Sequence, residues 1–444
     1  MPPRWIHKCA QRMPLSRAGR TCIRTYLVPR PHSHNIHTSH RAWWIRPAPN
    51  APVRPTLHRS TRQQSCTFFT ESIPPALMPP LIFTGLLFSL WAWKCFWIVV
   101  MQEKLLYLTW LPPFARSEKI ADYEAECRPV HWKAHQIRSR DGTKLAVCEG
   151  RIPAKKHDLP VSRGILPKDQ GRKKMVVICY FQGNGGSTPM RLPLLSQILR
   201  AIRASPQLSG ETAYVMVALS YRGFWTSSGR PTQRGIELDT QAFLDWVTET
   251  YSTVDTDLQV ILWGHSLGSA IATTGLATYL ARSCDNGPGA SIAGMILEAP
   301  SSSVKDMLIS LYPQKWLPYR YLWPFLRSHW DSILALERMV SWRDGGEVGS
   351  VAHGHKDGSV MCTSRASTLP PILILSAEKD EVVPPHAADD LEQVGRRLGL
   401  IVTRKHVAGA LHTEAPVKAD GTKTMVDFIY HCILSGHTSE DNWR

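Results

Sequence analysis

Acidic side chains are missing from the first seventy positions, where twelve Lys and Arg stand without a single Asp or Glu. The net charge of +16 therefore belongs largely to this leader, and subtracting its twelve charges leaves +4 over the rest. No basic face on the folded part is implied, so nucleic acid is not an expected partner. The ten cysteines never fall as Cys-x-x-Cys and keep no regular spacing, which disfavours a zinc site or a disulfide framework. Cys179, inside an apolar run, reads as a small core residue. Neither Gly-x-Gly-x-x-Gly nor a P-loop lysine occurs, which disfavours phosphate binding by the glycine-rich stretch at 182–187. Asn-x-Ser/Thr is absent too, so N-glycosylation cannot mark a luminal location.

What is present divides the 444 residues, 43% of them hydrophobic, into a leader, an apolar span and a domain large enough for a substantial core. Residues 1–75 are rich in Arg, His, Pro, Ser and Thr, have no sustained apolar period, and are expected to be disordered. Three readings stay open for them: a disordered extension, sequence translated upstream of a working start at Met78, or a mitochondrial transit peptide. Nine prolines between positions 2 and 55 fit the amphipathic helix of the last poorly. Residues 81–101 are apolar except for Lys94, long enough to cross a bilayer core, with Trp91, Trp93 and Trp97 suited to an interface. The expectation is a single-pass membrane protein of the endoplasmic reticulum or another endomembrane, with the mitochondrion as the alternative. Residues 102–130, with Pro112-Pro113 and several charges, read as a juxtamembrane linker.

From 131 to 436 short apolar runs alternate with helical-length segments. His135–Arg140 and Thr143–Cys148 flank an Asp-Gly turn. Met175–Phe181, Ala213–Ser220, Leu258–Leu262, Met295–Leu297, Ile372–Leu375 and Ile401–His406 read as strands buried on both faces, and Ile236–Thr248 as a helix between two of them. The pattern predicts an α/β fold with a mostly parallel sheet covered by helices on both sides.

One stretch organises the chemistry. After the strand at 258–262 come Gly264, Ser266 and Gly268 as Gly-x-Ser-x-Gly, then a run of good helix formers, Ala270–Leu280. Strand, sharp turn and helix in that order expose the serine hydroxyl, making Ser266 the candidate nucleophile. Serine needs a histidine to take its proton and a carboxylate to hold that histidine. The strand at 372–375 is followed by Asp380, with Glu378 and Glu381 as rivals. The strand at 401–406 leads to His412 on a small-residue loop, with His406 as rival. The expected order is Ser266, Asp380, His412. Oxyanion donors are expected from the backbone N–H of Leu267 and, in the loop after the strand at 175–181, of Asn184.

Gln182-Gly-Asn-Gly-Gly186, Tyr221-Arg-Gly-Phe224 with Ser228-Gly229 and Pro231, Gly264-His-Ser-Leu-Gly268, Asp380-Glu-Val-Val-Pro384 and Gly409-Ala-Leu-His412-Thr-Glu414 together span roughly 135–434. In this set the chain resembles the α/β-hydrolase fold superfamily, and within it the membrane-anchored monoacylglycerol-lipase-like and lysophospholipase-like α/β-hydrolase-domain proteins. Two departures stand out: Gln182 replaces the usual histidine, and Ala377 stands where a glycine usually precedes the acid. The resemblance implies hydrolysis of an ester or thioester through an acyl-enzyme, with no metal or organic cofactor. It also implies a cap insertion, about 301–368, whose aromatic section 311–330 suits an acyl-chain pocket, a lipid-dipping surface or ordinary helix packing. A membrane anchor beside such a site points to a lipid ester, monoacylglycerol or lysophospholipid, as substrate. A protein or acyl-CoA thioesterase and a non-catalytic pseudo-hydrolase are the alternatives.

Overall fold

A run of apolar residues with no polar stripe forms the helix α1, Met78–Tyr107. At 1.5 Å per residue its 30 residues extend about 45 Å, beyond the thickness of a bilayer core. It is long and apolar enough to cross a membrane, and none of its apolar window is buried against the protein. The computed structural model describes residues 74–153, 172–208, 212–286, 291–345 and 369–435, which belong to one unit, Ile73–Arg444. The expectations for the leader up to 73 and for the cap end at 346–368 lie outside the described residues.

Among the described residues eight strands follow: β1 His131–Arg138, β2 Lys144–Arg151, β3 Lys173–Phe181, β4 Ala213–Ser220, β5 Thr256–His265, β6 Ser291–Glu298, β7 Ile372–Ala377 and β8 Val402–Val407. They form a single sheet in the order β1-β2-β4-β3-β5-β6-β7-β8. β1 and β2 pair antiparallel, β2 runs antiparallel to β4, and every later pairing is parallel.

Among the described residues, besides the single turn Glu124–Cys127, seven longer helices complete the domain: α2 Leu192–Ala204, α3 Gln233–Tyr251, α4 Leu267–Asn286, α5 Val304–Leu311, α6 Ser332–Arg343, α7 His386–Arg397 and α8 Ala419–Ser435. Because strand side chains alternate, Val177, Cys179 and Phe181 join one core with α3, α4, α6 and α7. Val176, Ile178 and Tyr180 join the other with α2 and α8. Both faces are therefore covered, which is why the parallel strands read as unbroken apolar runs. Cys179 is fully buried, the expected small core residue.

Two expectations need correction. The stretch 102–130 is no free linker: α1 runs on to Tyr107, and Tyr107, Ala115, Cys127 and Val130 are buried in the domain. These apolar side chains are isolated in sequence and show no period, so only the folded chain reveals their packing. The stretch 301–368 is not all cap either. Ala335, Leu336, Met339, Val340 and Trp342 put α6 into the core shared with α4, while Trp316, Tyr321 and Phe325 stay exposed before it.

Candidate active site

β5 carries Ser266 to the carboxyl edge of the sheet, where its backbone sits at φ +52, a left-handed conformation that costs a non-glycine residue. The turn is held from three sides. Ser266 N–H donates to the Glu298 carbonyl at 2.8 Å, Ser269 N–H to the Ser266 carbonyl at 2.9 Å, and Ser269 Oγ to the Gly264 carbonyl at 2.8 Å. A Cβ on Gly264 would meet the Gly268 carbonyl oxygen at 2.4 Å, so only glycine lets strand and helix pass this closely. Leu267 is the first residue of α4, and its N–H has no acceptor one turn earlier in the helix.

The loops after β7 and β8 bring Asp380 and His412 together. His412 Nδ1 lies 2.9 and 3.0 Å from the two Asp380 oxygens. Asp380 Oδ1 also accepts from the N–H groups of Val382 and Val383, at 2.9 and 2.8 Å. Burial opposes its charge, but the His412 contact and these two donors outweigh it and hold the carboxyl below its usual pKa. The His412 ring centroid lies 5.0 Å from that of His265, the neighbour of Ser266. No hydrogen bond joins Ser266 to His412 among the described residues, a bond that commonly tightens only with substrate in place.

The rivals for these roles have other partners. Glu378 Oε2 accepts from Gly409 N–H at 2.6 Å, Glu381 Oε2 accepts from His412 N–H at 3.1 Å, and His406 Nδ1 faces Ser376 Oγ at 3.2 Å. Glu378 and Glu381 thus fasten the loop that carries His412, a supporting role sequence reasoning missed. Ala377, where a glycine is usual, closes β7 without positive φ, so a Cβ is accommodated there.

The loop after β3 crosses beneath this edge. Gln182 is buried, its side-chain oxygen taking the Thr188 hydroxyl at 3.1 Å and its carbonyl the Tyr221 hydroxyl at 2.9 Å. A Cβ on Gly183 would lie 2.8 Å from His265 Nδ1, so the loop presses against the turn that carries Ser266. Asn184 follows, exposed, and among the described residues nothing accepts its N–H. The Tyr221-Arg222 turn is pinned from below: Arg222 donates to buried Asp239 at 2.7 Å and to Asp141 at 2.8 Å.

A family model described as the alpha/beta hydrolase family matches residues 190–418, just over half of the chain. The chain belongs to the α/β-hydrolase family. The hydrolase is 24% identical to protein bem46 of Schizosaccharomyces pombe over 221 residues, covering 50% of this chain and 56% of that protein. It is 26% identical to the alpha/beta hydrolase domain-containing protein WAV2 of Arabidopsis thaliana over 289 residues, covering 65% and 73%. It is 28% identical to the lysophosphatidylserine lipase ABHD12 of Danio rerio over 210 residues, covering 47% and 44%. The chain thus spans about half the length of bem46 and of the ABHD12 relatives. Among solved structures, an alpha-beta hydrolase from Vibrio vulnificus superposes with a TM-score of 0.47 at 14% identity, over 76% of this chain and 92% of that one.

Beneath the candidate triad of this α/β hydrolase lie two groups that sequence reasoning passed over. His265 and Glu298 are both buried, with His265 Nε2 3.8 Å from Glu298 Oε1. Burial, then the charges of Arg191 and His412, hold the His265 pKa well below its usual value. Burial pushes Glu298 up to about 8, although Trp263 Nε1–H donates to it at 2.9 Å. Both shifts favour the uncharged forms and work against an ion pair here. Nothing marks them in the sequence beyond a Glu closing an apolar strand.

Glu298 makes stability fall with pH. From the ordinary value of 4.5 up to about 8, the folded state holds a proton that the unfolded chain has released, so each step upward in that window favours unfolding. Glu298→Gln keeps an acceptor for Trp263 and removes the ionisation. Its thermal midpoint is expected to rise above wild type at pH 9, by about 2–4 °C for each kcal/mol recovered, and to match wild type at pH 4.5. Melting curves at the two pH values check this, and an equal shift at both would contradict it.

Proposed function

We propose that the protein is a single-pass, membrane-anchored serine hydrolase that cleaves lipid esters through an acyl-enzyme. The observation carrying this reading is the convergence, at the carboxyl ends of β5, β7 and β8, of a positive-φ serine with a carboxylate-held histidine. Ser266 Oγ attacks the ester carbonyl as His412 Nε2 takes its proton, and the Asp380 carboxylate stabilises the imidazolium. The N–H groups of Leu267 and Asn184 receive the developing oxyanion. The C–O bond to the leaving alcohol breaks as His412 returns its proton to that oxygen, and water then releases the acid by the same steps.

A lipid substrate is favoured by α1, whose unburied apolar length keeps the site beside a bilayer. The exposed Trp316, Tyr321 and Phe325 add apolar surface near it, with Trp316 6.0 Å from Trp91 of α1 by ring centroids. Three relatives, from Danio rerio, Rattus norvegicus and Mus musculus, are named lysophosphatidylserine lipases, which puts a lysophospholipid first among candidates. The test is a panel assayed with the full chain in bilayers: lysophospholipids including lysophosphatidylserine, monoacylglycerols, S-acylated peptides and short soluble esters. Long-chain lipid esters are expected to exceed short esters in kcat/KM by about tenfold or more, since one buried methylene contributes about 0.8 kcal/mol. Turnover confined to acylated peptides or to short soluble esters would contradict the lipid-ester reading.

A further inference from the structure

The last carbonyls of an α-helix have no partner within the helix. At the end of α1 the partner is the loop after β3. Gly185 N–H donates to the Tyr107 carbonyl at 2.9 Å and Gly186 N–H to the Leu111 carbonyl at 2.7 Å. The next residue continues the series, with Ser187 Oγ donating to the Glu118 carboxylate. Three consecutive residues beyond Asn184 are thus tied to the juxtamembrane stretch 107–118. Gly185 and Gly186 reach these acceptors at φ +67 and +73, and a Cβ on Gly185 would come within 3.4 Å of the Leu111 carbonyl oxygen.

The juxtamembrane stretch is itself anchored along its length. Tyr107 Oη meets Ser328 Oγ at 3.0 Å and accepts from Trp330 Nε1–H at 3.0 Å. Arg116 donates to the carbonyls of Gly223 and Ser227 at 2.9 and 3.1 Å, and Trp225 Nε1–H donates to the Glu118 carbonyl at 2.8 Å. Higher on α1, Gln102 donates to the Phe325 carbonyl at 3.1 Å and accepts from Arg327 N–H at 2.7 Å.

We infer that residues 107–118 are positioning residues of the oxyanion loop, so that the membrane helix and the site form one mechanical unit. The inference rests on the reading of Ser266 as nucleophile and Asn184 as donor. By occupying the three following donors, the stretch fixes the direction of the Asn184 N–H, for which no acceptor is found among the described residues. A shift of α1 relative to the domain reaches that N–H across a single peptide. The hydrolase is accordingly assembled at full strength only with its anchor seated.

The test uses the full chain in lipid nanodiscs and two readouts: the second-order rate of fluorophosphonate labelling, and amide hydrogen exchange over 182–188. Glu118→Ala removes the Ser187 acceptor but keeps the backbone carbonyl that Trp225 uses. Its labelling rate is expected to fall about tenfold or more, since loss of one oxyanion donor costs about 10²–10³. Exchange over 182–188 is expected to quicken, with KM for an ester substrate little changed. Glu118→Gln, which still accepts from Ser187, restores both readouts. Tyr107→Phe, which keeps the buried ring and removes the hydroxyl, serves as the second variant should Glu118→Ala not fold. Leu86→Ala, on the exposed length of α1, leaves both unchanged. Faster exchange with wild-type labelling, or slower labelling with unchanged exchange, overturns the inference. A wild type that takes no label overturns the nucleophile itself, a failure seen before any variant is made.

Discussion

Asp380→Asn is expected to lower kcat by about four orders of magnitude while the chain stays folded. The carboxylate holds His412 through Nδ1 at 2.9 Å and lies in a position only 9% exposed, where Val382 and Val383 donate to it. Asparagine has the same shape and keeps an oxygen for those two N–H groups. It offers His412 an NH₂ donor, however, so the imidazole proton moves to Nε2 and that nitrogen can no longer take the Ser266 proton. Glu378→Gln is the contrast. Gln keeps the acceptor for Gly409 N–H, and activity is expected to stay within a few-fold of wild type, because the loop is fastened and the proton path is untouched. Steady-state hydrolysis of one ester by the two variants, with circular dichroism to confirm folding, decides between the carboxylates. The reverse ranking would move the acid to Glu378.

Gly268→Ala is expected to destabilise the domain by more than about 3 kcal/mol. Its Cβ would stand 2.0 Å from the Phe181 carbonyl oxygen and 2.6 Å from that of Gln182, distances no real methyl group tolerates. Both neighbours are backbone at the end of β3, so no side chain can swing away. Relief requires the first turn of α4 to part from the strand that leads into the loop of Asn184, and that disturbs both candidate oxyanion donors at once. Gly85→Ala meets nothing within 4 Å and sits inside α1, where alanine is the better helix former. Yield of folded protein and its thermal midpoint, compared across the two variants, check the prediction: loss or a lowered midpoint for Gly268→Ala and none for Gly85→Ala.

Much of this architecture is legible in the sequence, for identifiable physical reasons. Strands such as Met175–Phe181 are covered on both faces, so they appear as continuous apolar runs between turn residues. The strand-to-helix turn at Ser266 shows itself because its crowding demands glycine on either side. Other parts leave no local trace. The packing of 102–130 depends on single buried residues such as Tyr107 and Cys127 and on backbone bonds to a loop some seventy-five residues later, and neither has a period to detect. Pro112-Pro113 made that stretch look like a spacer. Glu298 and His265 escaped because their importance comes from burial beneath His412, which no neighbouring residue announces. Glu378 and Glu381 could be seen as carboxylates near the acid, but only the folded loops show that each holds a backbone N–H of the histidine segment.

The most direct test of the account is fluorophosphonate labelling of membranes carrying the wild-type chain beside membranes carrying Ser266→Ala. A covalent adduct is expected on the wild type, located to Ser266 by peptide mass, and none on the variant at equal expression. Labelling that persists in Ser266→Ala, or a folded wild type that never reacts, would contradict it.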